Sequence, residues 1–338
     1  MLKRFPPRDP AQLEHARKAA ATVLADWPGA HAFLCGSSFA GLGTPASDVD
    51  LYVITAEGGR TRQIDVDGVR VDVEQRSREW LERLVENCRE FTVTPADASQ
   101  LGYWSYERLD EAVRFALGEI VADDGSLAAL QSRINDSADP LTSLIVAQHG
   151  MSNSNRAEDI WGALAVGDET AAQSLARTML TSTAEALLAA RGDAYIGLKW
   201  VWTQWARTIG QDLGEDVTRV LHDPAASTAR CSWLSQDFLV MAITGLTYPV
   251  VTADSPSGPQ RDMRVLPFLT SQSVLLNRPD SRAVKVSRPG ALLWGVAHGR
   301  PRDAAVAMAG ELLGVRTEDV DRYYDQLVKA NVLSEGTP

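Results

Sequence analysis

Two short stretches of strict alternation constrain this chain more than any other feature. In DVDLYVI (48–54), Asp48 and Asp50 are two residues apart, and in VRVDVEQ (69–75) Asp72 and Glu74 repeat the spacing. Successive residues of a strand point to opposite sheet faces, so each carboxylate pair shares one face, while Val49, Leu51, Val71 and Val73 share the other. If the two strands are neighbours, they bury one face in a core and crowd three or four carboxylates on its reverse. This pattern predicts an α+β fold: a small mixed, twisted sheet with helices on one face.

Crowded carboxylates repel unless cations occupy the cluster. Two Mg²⁺ ions about 3.5–4 Å apart, held by carboxylate and phosphate oxygens, are the usual arrangement. One ion then activates an attacking hydroxyl and the other neutralises a leaving pyrophosphate. The preceding loop, GSSFAGLGTPAS (36–47), suits the phosphates. Gly36 permits close backbone approach, Ser37 adds a hydroxyl, and the N–H groups of Ser37 and Ser38 would open a helical turn that favours an anion. Ser47 is placed to bond backbone or phosphate and to set the entry into the strand. Alone, D-x-D describes any two solvent-facing strand residues. Gly36–Ser37 before it and Asp72 after it are what single it out. Glu74 reads as a neighbour or substrate contact, and Asp65 with Asp67-Gly68 as the turn before the third strand.

G-S, ten residues, then D-V-D-L, followed by a carboxylate on the later strand VRVDVEQ, resembles the signature of the polymerase-β-type nucleotidyltransferase superfamily. The likeness spans roughly residues 20–210 and is closest in style to antibiotic-modifying and minimal members. Such enzymes move a nucleoside monophosphate from an NTP to a hydroxyl. The resemblance implies that Gly36 and Ser37 hold the β- and γ-phosphates and that Asp48, Asp50 and Asp72 hold metal. In kanamycin-modifying relatives a helical-domain glutamate is the base and a nearby lysine contacts phosphate. GLKW (197–200) resembles the lysine segment, which nominates Lys199. The position four before it is Tyr195 rather than glutamate, and Glu185 is the substitute base. The loop SSFAG also lacks the arginine that many minimal members carry there.

Elsewhere the pattern is mostly helical. A helix is expected over 9–27, with Asp9 capping and Pro10 at its first turn, a strand over 30–34, and GGRTRQIDVDG (58–68) as a turn. Residues 1–140 then form the catalytic domain, 141–282 a helical domain, and 283–338 a small winged-helix-like domain; the NTP belongs in the cleft between the first two. The stretch 250–282 reads as irregular, and Thr317 as the start of a capping box. The three tail helices weakly resemble PqqD-like winged-helix modules, which implies a peptide partner or else a structural cap. Trp200, Trp202 and Trp205 recur at helical spacing as core residues. The five histidines show no ligand spacing.

The net charge of −11 and the lack of a long Lys/Arg cluster argue against duplex nucleic acid and weakly favour a cationic or neutral partner. No apolar run reaches the ~18 residues of a membrane helix. Cys35, Cys88 and Cys231 lie far apart without CxxC pairing, which predicts buried thiols in a reducing cytoplasm. The leading expectation is an Mg²⁺-dependent nucleotidyltransferase acting on a hydroxyl-bearing small molecule, an antibiotic or biosynthetic intermediate. The alternatives are a peptide, protein or RNA-end acceptor recruited by the tail, and a nucleotide-binding regulatory protein without catalysis.

Overall fold

The computed structural model describes residues 1–338 apart from 211, 254, 255, 257, 279–282 and 335–338. The chain forms two compact units. The first holds residues 1–91, 104–142 and 192–200; the second holds 92–103, 143–191 and 201–338.

In the first unit α1 (Pro10–Leu24) is capped by Asp9, whose carboxylate accepts from the Ala11 N–H at 3.0 Å. Strands β1 (His31–Cys35), β2 (Val49–Thr55), β3 (Arg62–Val66), β4 (Val69–Ser77) and β5 (Glu119–Ala122) make one mixed sheet in the order β3-β4-β2-β1-β5. β2 and β4 run parallel and the remaining pairs antiparallel. Ala16, Ala19, Ala20 and Val23 of α1 bury the apolar face, packing with Leu34, Val49, Leu51, Val53, Val71 and Val73. Small alanines let the helix approach the sheet closely. α2 (Arg78–Asn87) and α4 (Tyr106–Leu117) pack against β4 and β1 respectively. Phe33 stacks on Tyr52 at 4.8 Å and meets Phe115 of α4 edge-on at 5.0 Å. The short helix α3 (Ser99–Tyr103) belongs to the second unit, and α5 (Ser126–Asp136) closes the first.

The stretch 58–68 is not all turn, because its second half is strand β3. Arg62 to Val66 alternate, but the apolar members are few because β3 is an edge strand and largely exposed. The expected Asp67-Gly68 turn does join β3 to β4, both residues having positive φ (53° and 78°) as a two-residue type I′ hairpin requires.

The second unit is built on α6 (Ala138–Ala165, from residue 143 on) and on α7 (Glu169–Ala190), which packs along α10 (Thr228–Thr244). The shorter helices α8 (Val201–Thr208) and α9 (Glu215–His222) lie between α7 and α10 in sequence. The segment 250–282, expected to be irregular, contains a hairpin of β6 (Leu266–Leu269) and β7 (Val274–Asn277); β8 (Val284–Val286) extends it to a three-stranded antiparallel sheet. The three tail helices are α11 (Arg288–Ala297), α12 (Arg302–Leu313) and α13 (Thr317–Lys329). Thr317 is the first helical residue of α13 rather than its cap, a place taken by Arg316 without a side-chain bond. Leu292, Trp294, Tyr324 and Leu327 of the tail share one apolar cluster with Met179, Leu187, Phe238 and Leu239 of α7 and α10. At its centre the fully buried Arg261 donates to Asp237 at 2.7 Å, and Tyr248 donates to the same carboxylate oxygen at 2.9 Å.

Cys35, Cys88 and Cys231 are buried thiols, as their spacing suggested. No helix among the described residues is long and apolar enough to cross a membrane.

Candidate functional site

The parallel pairing of β2 with β4 sets the site. Its register puts Asp50 opposite Asp72 and Tyr52 opposite Glu74. Antiparallel pairing with β1 puts Cys35 opposite Asp50, so the next residue, Gly36, arrives beside the Asp50 carboxylate. Gly36 has φ +100°, and a Cβ there would collide with an Asp50 carboxylate oxygen. Only glycine supplies both that conformation and that clearance.

After Gly36 the chain coils tightly. The Ser37 carbonyl accepts from Leu42 N–H at 2.8 Å and from Gly43 N–H at 2.9 Å. Ser37 and Ser38 are both buried, and the Ser38 hydroxyl has no hydrogen-bond partner among the described residues. A buried hydroxyl without a partner is costly, and this one fills the space a Cβ on Gly43 would need. Ser47 closes the loop: its hydroxyl accepts from Thr44 N–H at 2.9 Å, which fixes the entry into β2.

Each carboxylate has its own partner. Asp48 is ion-paired with Arg70, and Asp50 accepts from Arg114 Nη1 at 2.5 Å. Asp72 accepts from Gln63 Nε2, its register partner on β3, at 2.6 Å. Arg114 is itself gripped from α4 by Asp110 at 2.6 Å, and its guanidinium lies 6.0 Å from the Tyr195 ring. Burial pushes Asp50 above the ordinary aspartate range against the pull of Arg114, and the charges of Asp48 and Asp72 add to the rise. Burial also pushes Asp48 upward, but the Arg70 guanidinium outweighs it and holds this carboxyl below its usual value. Burial raises Asp110 to about 6, again against Arg114. Further along the same face Arg76 bridges Glu74 and Glu111, each at 3.0 Å, and Thr61 donates to Glu74 at 2.6 Å.

Gly36, Ser37, Ser47, Asp48, Asp50 and Asp72 thus come together in the first unit. The three carboxylates offer the hard oxygen donors that Mg²⁺ prefers. Lys199 lies in the last segment of the same unit, exposed, with its ammonium 5.4 Å from the Trp200 ring. Four residues earlier in that segment is Tyr195, the residue beside Arg114. Glu185 belongs to α7 of the second unit. It is 3% exposed and lies 3.4 Å from the buried His149, whose other ring nitrogen is 2.9 Å from the Ser182 hydroxyl.

Arg70, Arg114, Asp110 and Gln63 were not singled out from the sequence, and Tyr195 stood out there only as the residue in place of the relatives' glutamate. Only Asp110–Arg114 carries a local signal, an i,i+4 ion pair on a helix. Arg114 is 64 residues from Asp50, so this pairing is a product of the fold.

Among the described residues, the metal-ligating side chains whose ligand atoms all lie within 4.8 Å of one another are a different group, His31, Asp123 and Asp124, at the opposite end of β1. His31 Nδ1 lies 3.4 Å from Asp123 and 3.8 Å from Asp124, next to an open cavity of about 530 Å³ that His31 helps to line. Both carboxylates are engaged at the first turn of α5: Asp123 accepts from the N–H groups of Leu127 and Ala128, and Asp124 from that of Ser126.

No protein-family model matches the chain, and no curated protein does. Among solved structures, a nucleotidyltransferase-like protein from Exiguobacterium sibiricum is similar, with 18% identity, a TM-score of 0.37, and coverage of 67% of this chain and 76% of that one. At this TM-score the likeness bears neither on the fold nor on the chemistry.

Proposed function

We propose that the chain transfers a nucleoside monophosphate from an NTP to the hydroxyl of a small molecule, an antibiotic or biosynthetic intermediate, with release of pyrophosphate. The observation that carries this reading is the Asp50–Asp72 register with Gly36 packed on Asp50. One strand pair and one loop thereby join a carboxylate cluster to a glycine turn whose N–H groups follow directly on it. Asp48, Asp50 and Asp72 are the residues that would hold Mg²⁺, two ions on this reading. Bound there, the metal would polarise the α-phosphate and neutralise the departing pyrophosphate.

The chain's own residues supply the rest. Gly36 and the N–H groups after it take the polyphosphate, and Ser37 adds a hydroxyl donor. Arg114, gripped by Asp110, fixes the Asp50 carboxylate so that its free oxygen keeps one direction. Lys199 is the candidate for a further phosphate contact. Glu185 is the candidate base only as a substitute, since Tyr195 stands where the relatives carry their glutamate. The test is to incubate the protein with each NTP and Mg²⁺ against a panel of hydroxyl-bearing acceptors. A mass gain of one nucleoside monophosphate supports the reading, and no adduct with any NTP counts against it.

A second reading, a peptide acceptor, is favoured by one feature of the tail. β8 is the edge strand of its sheet, and a cavity of about 170 Å³ runs between it and α13, lined by Val284, Lys285, Val286, Tyr323 and Leu327. An edge strand beside an apolar groove can accept an extended chain by strand addition. Deleting the tail would remove Trp294 and Leu327 from a shared core. Tyr323→Ala, at a residue 44% exposed, is the cleaner test. On this reading it abolishes transfer to a peptide and leaves nucleotide binding intact.

A further inference from the structure

The two arginines of the carboxylate cluster are held very differently. Arg114 is largely buried and bridges Asp110 and Asp50, so it cannot leave either without stranding a buried charge. Arg70 is 56% exposed at its side chain, and its ion pair is with Asp48, itself 31% exposed. Such a pair is weak and readily exchanged.

Position along β4 explains where Arg70 reaches. Arg70, Asp72, Glu74 and Arg76 alternate onto one face, so Arg70 stands on the carboxylate side, one step before Asp72. Its guanidinium is paired with Asp48, and Asp72 follows it by two residues on the same face of β4. One exposed cation thus stands at the edge of the carboxylate cluster.

The loop that would face the polyphosphate, residues 36–47, contains no lysine or arginine. Its N–H groups offer dipoles but no full charge, whereas guanidinium groups recognise phosphate through paired N–H donors. A cation mounted on the neighbouring strand, already resting on Asp48, is placed to supply that charge once Asp48 turns to another partner.

We propose that Arg70 is an exchangeable counter-ion: it occupies Asp48 while the site is empty, yields that carboxylate to the incoming divalent cation, and then pairs with the polyphosphate of the NTP. This proposal rests on the nucleotidyl-transfer reading and adds a substrate-binding residue to it. No bond is made or broken; one ion pair is replaced by a carboxylate–metal contact and a guanidinium–phosphate contact.

Two binding measurements on the full chain test the exchange. Mn²⁺ alone, followed by its paramagnetic signal, should bind Arg70→Ala about two- to fivefold more tightly than the wild type, because Asp48 no longer has to be freed. Inorganic tripolyphosphate with Mg²⁺ should bind the same variant about tenfold more weakly, with partial recovery in Arg70→Lys, which keeps the charge but not the paired donors. Unchanged or weaker Mn²⁺ binding in Arg70→Ala, or unchanged tripolyphosphate binding, overturns the proposal. Asp48→Ala separates the two claims. If Asp48→Ala loses Mn²⁺ while Arg70→Ala behaves as wild type, the Arg70 assignment alone fails. If Mn²⁺ binding ignores both residues, the nucleotidyl-transfer reading fails with it.

Discussion

Asp50 and Gly36 are in contact across the end of the sheet: the Asp50 carboxylate fills the space a Cβ on Gly36 would need. The acid that would hold metal and the glycine that would admit phosphate are thereby one packing unit. Gly36→Ala should strain a backbone at φ +100° and push Asp50 off Arg114. A stability loss of about 1–3 kcal/mol is expected, together with loss of NTP binding. Chemical denaturation alongside a nucleotide titration checks both. Normal nucleotide binding by the variant would separate the glycine from the site.

The carboxylate face was legible because alternation survives in β2 and β4, where Val49, Leu51, Val71 and Val73 mark the buried side. The Asp67-Gly68 turn was legible for its own local reason, two positive φ angles in a two-residue connection. Strand β3 was not, since an exposed edge strand needs few apolar residues. The hairpin of β6 and β7 hides among prolines and polar residues that look like loop. Arg70 and Arg114 were invisible for a different reason. A lone arginine on a strand or helix reads as solvated surface until the fold brings it to a carboxylate 22 or 64 residues away.

Arg114→Leu should be costly. It leaves Asp110 and Asp50, both shielded from water, without their shared cation. A loss of about 3 kcal/mol is expected at neutral pH and a smaller one in acid, where the carboxyls are protonated. Unfolding curves at pH 5 and 7.5 measure the difference. An equal loss at both would show that the guanidinium acts by packing alone.

Asp110 and His149 give stability opposite slopes with pH. Asp110 is raised by burial to about 6 in the folded state, so its contribution is fully present below its ordinary value near 4 and is lost as pH rises through 6. His149 is lowered to about 3, first by burial and then by Arg156, so its contribution is present above 6.5 and is lost as pH falls through 3. Asp110→Asn removes the first slope and leaves the second. Stability should then climb more steeply between pH 4 and 6, by about 1 kcal/mol per pH unit relative to the wild type. Parallel profiles for the two proteins would contradict the assignment.

In the second unit, Arg261→Met should strand the buried Asp237 carboxylate and cost about 3–5 kcal/mol. Tyr248 would keep its hydrogen bond to Asp237 but cannot neutralise it. Adding Asp237→Asn should recover a large part of the loss, and thermal unfolding of the single and double variants measures the coupling. No recovery would show that the arginine acts by filling volume against Trp294.

On the nucleotidyl-transfer reading, Asp48 and Asp50 hold the metal. Pyrophosphate release from an NTP in the presence of an acceptor tests it most directly, compared between wild type, Asp48→Ala and Asp50→Ala with and without Mg²⁺. Release that requires Mg²⁺ in the wild type and is absent from both variants is the predicted result. Full activity in both variants would contradict it.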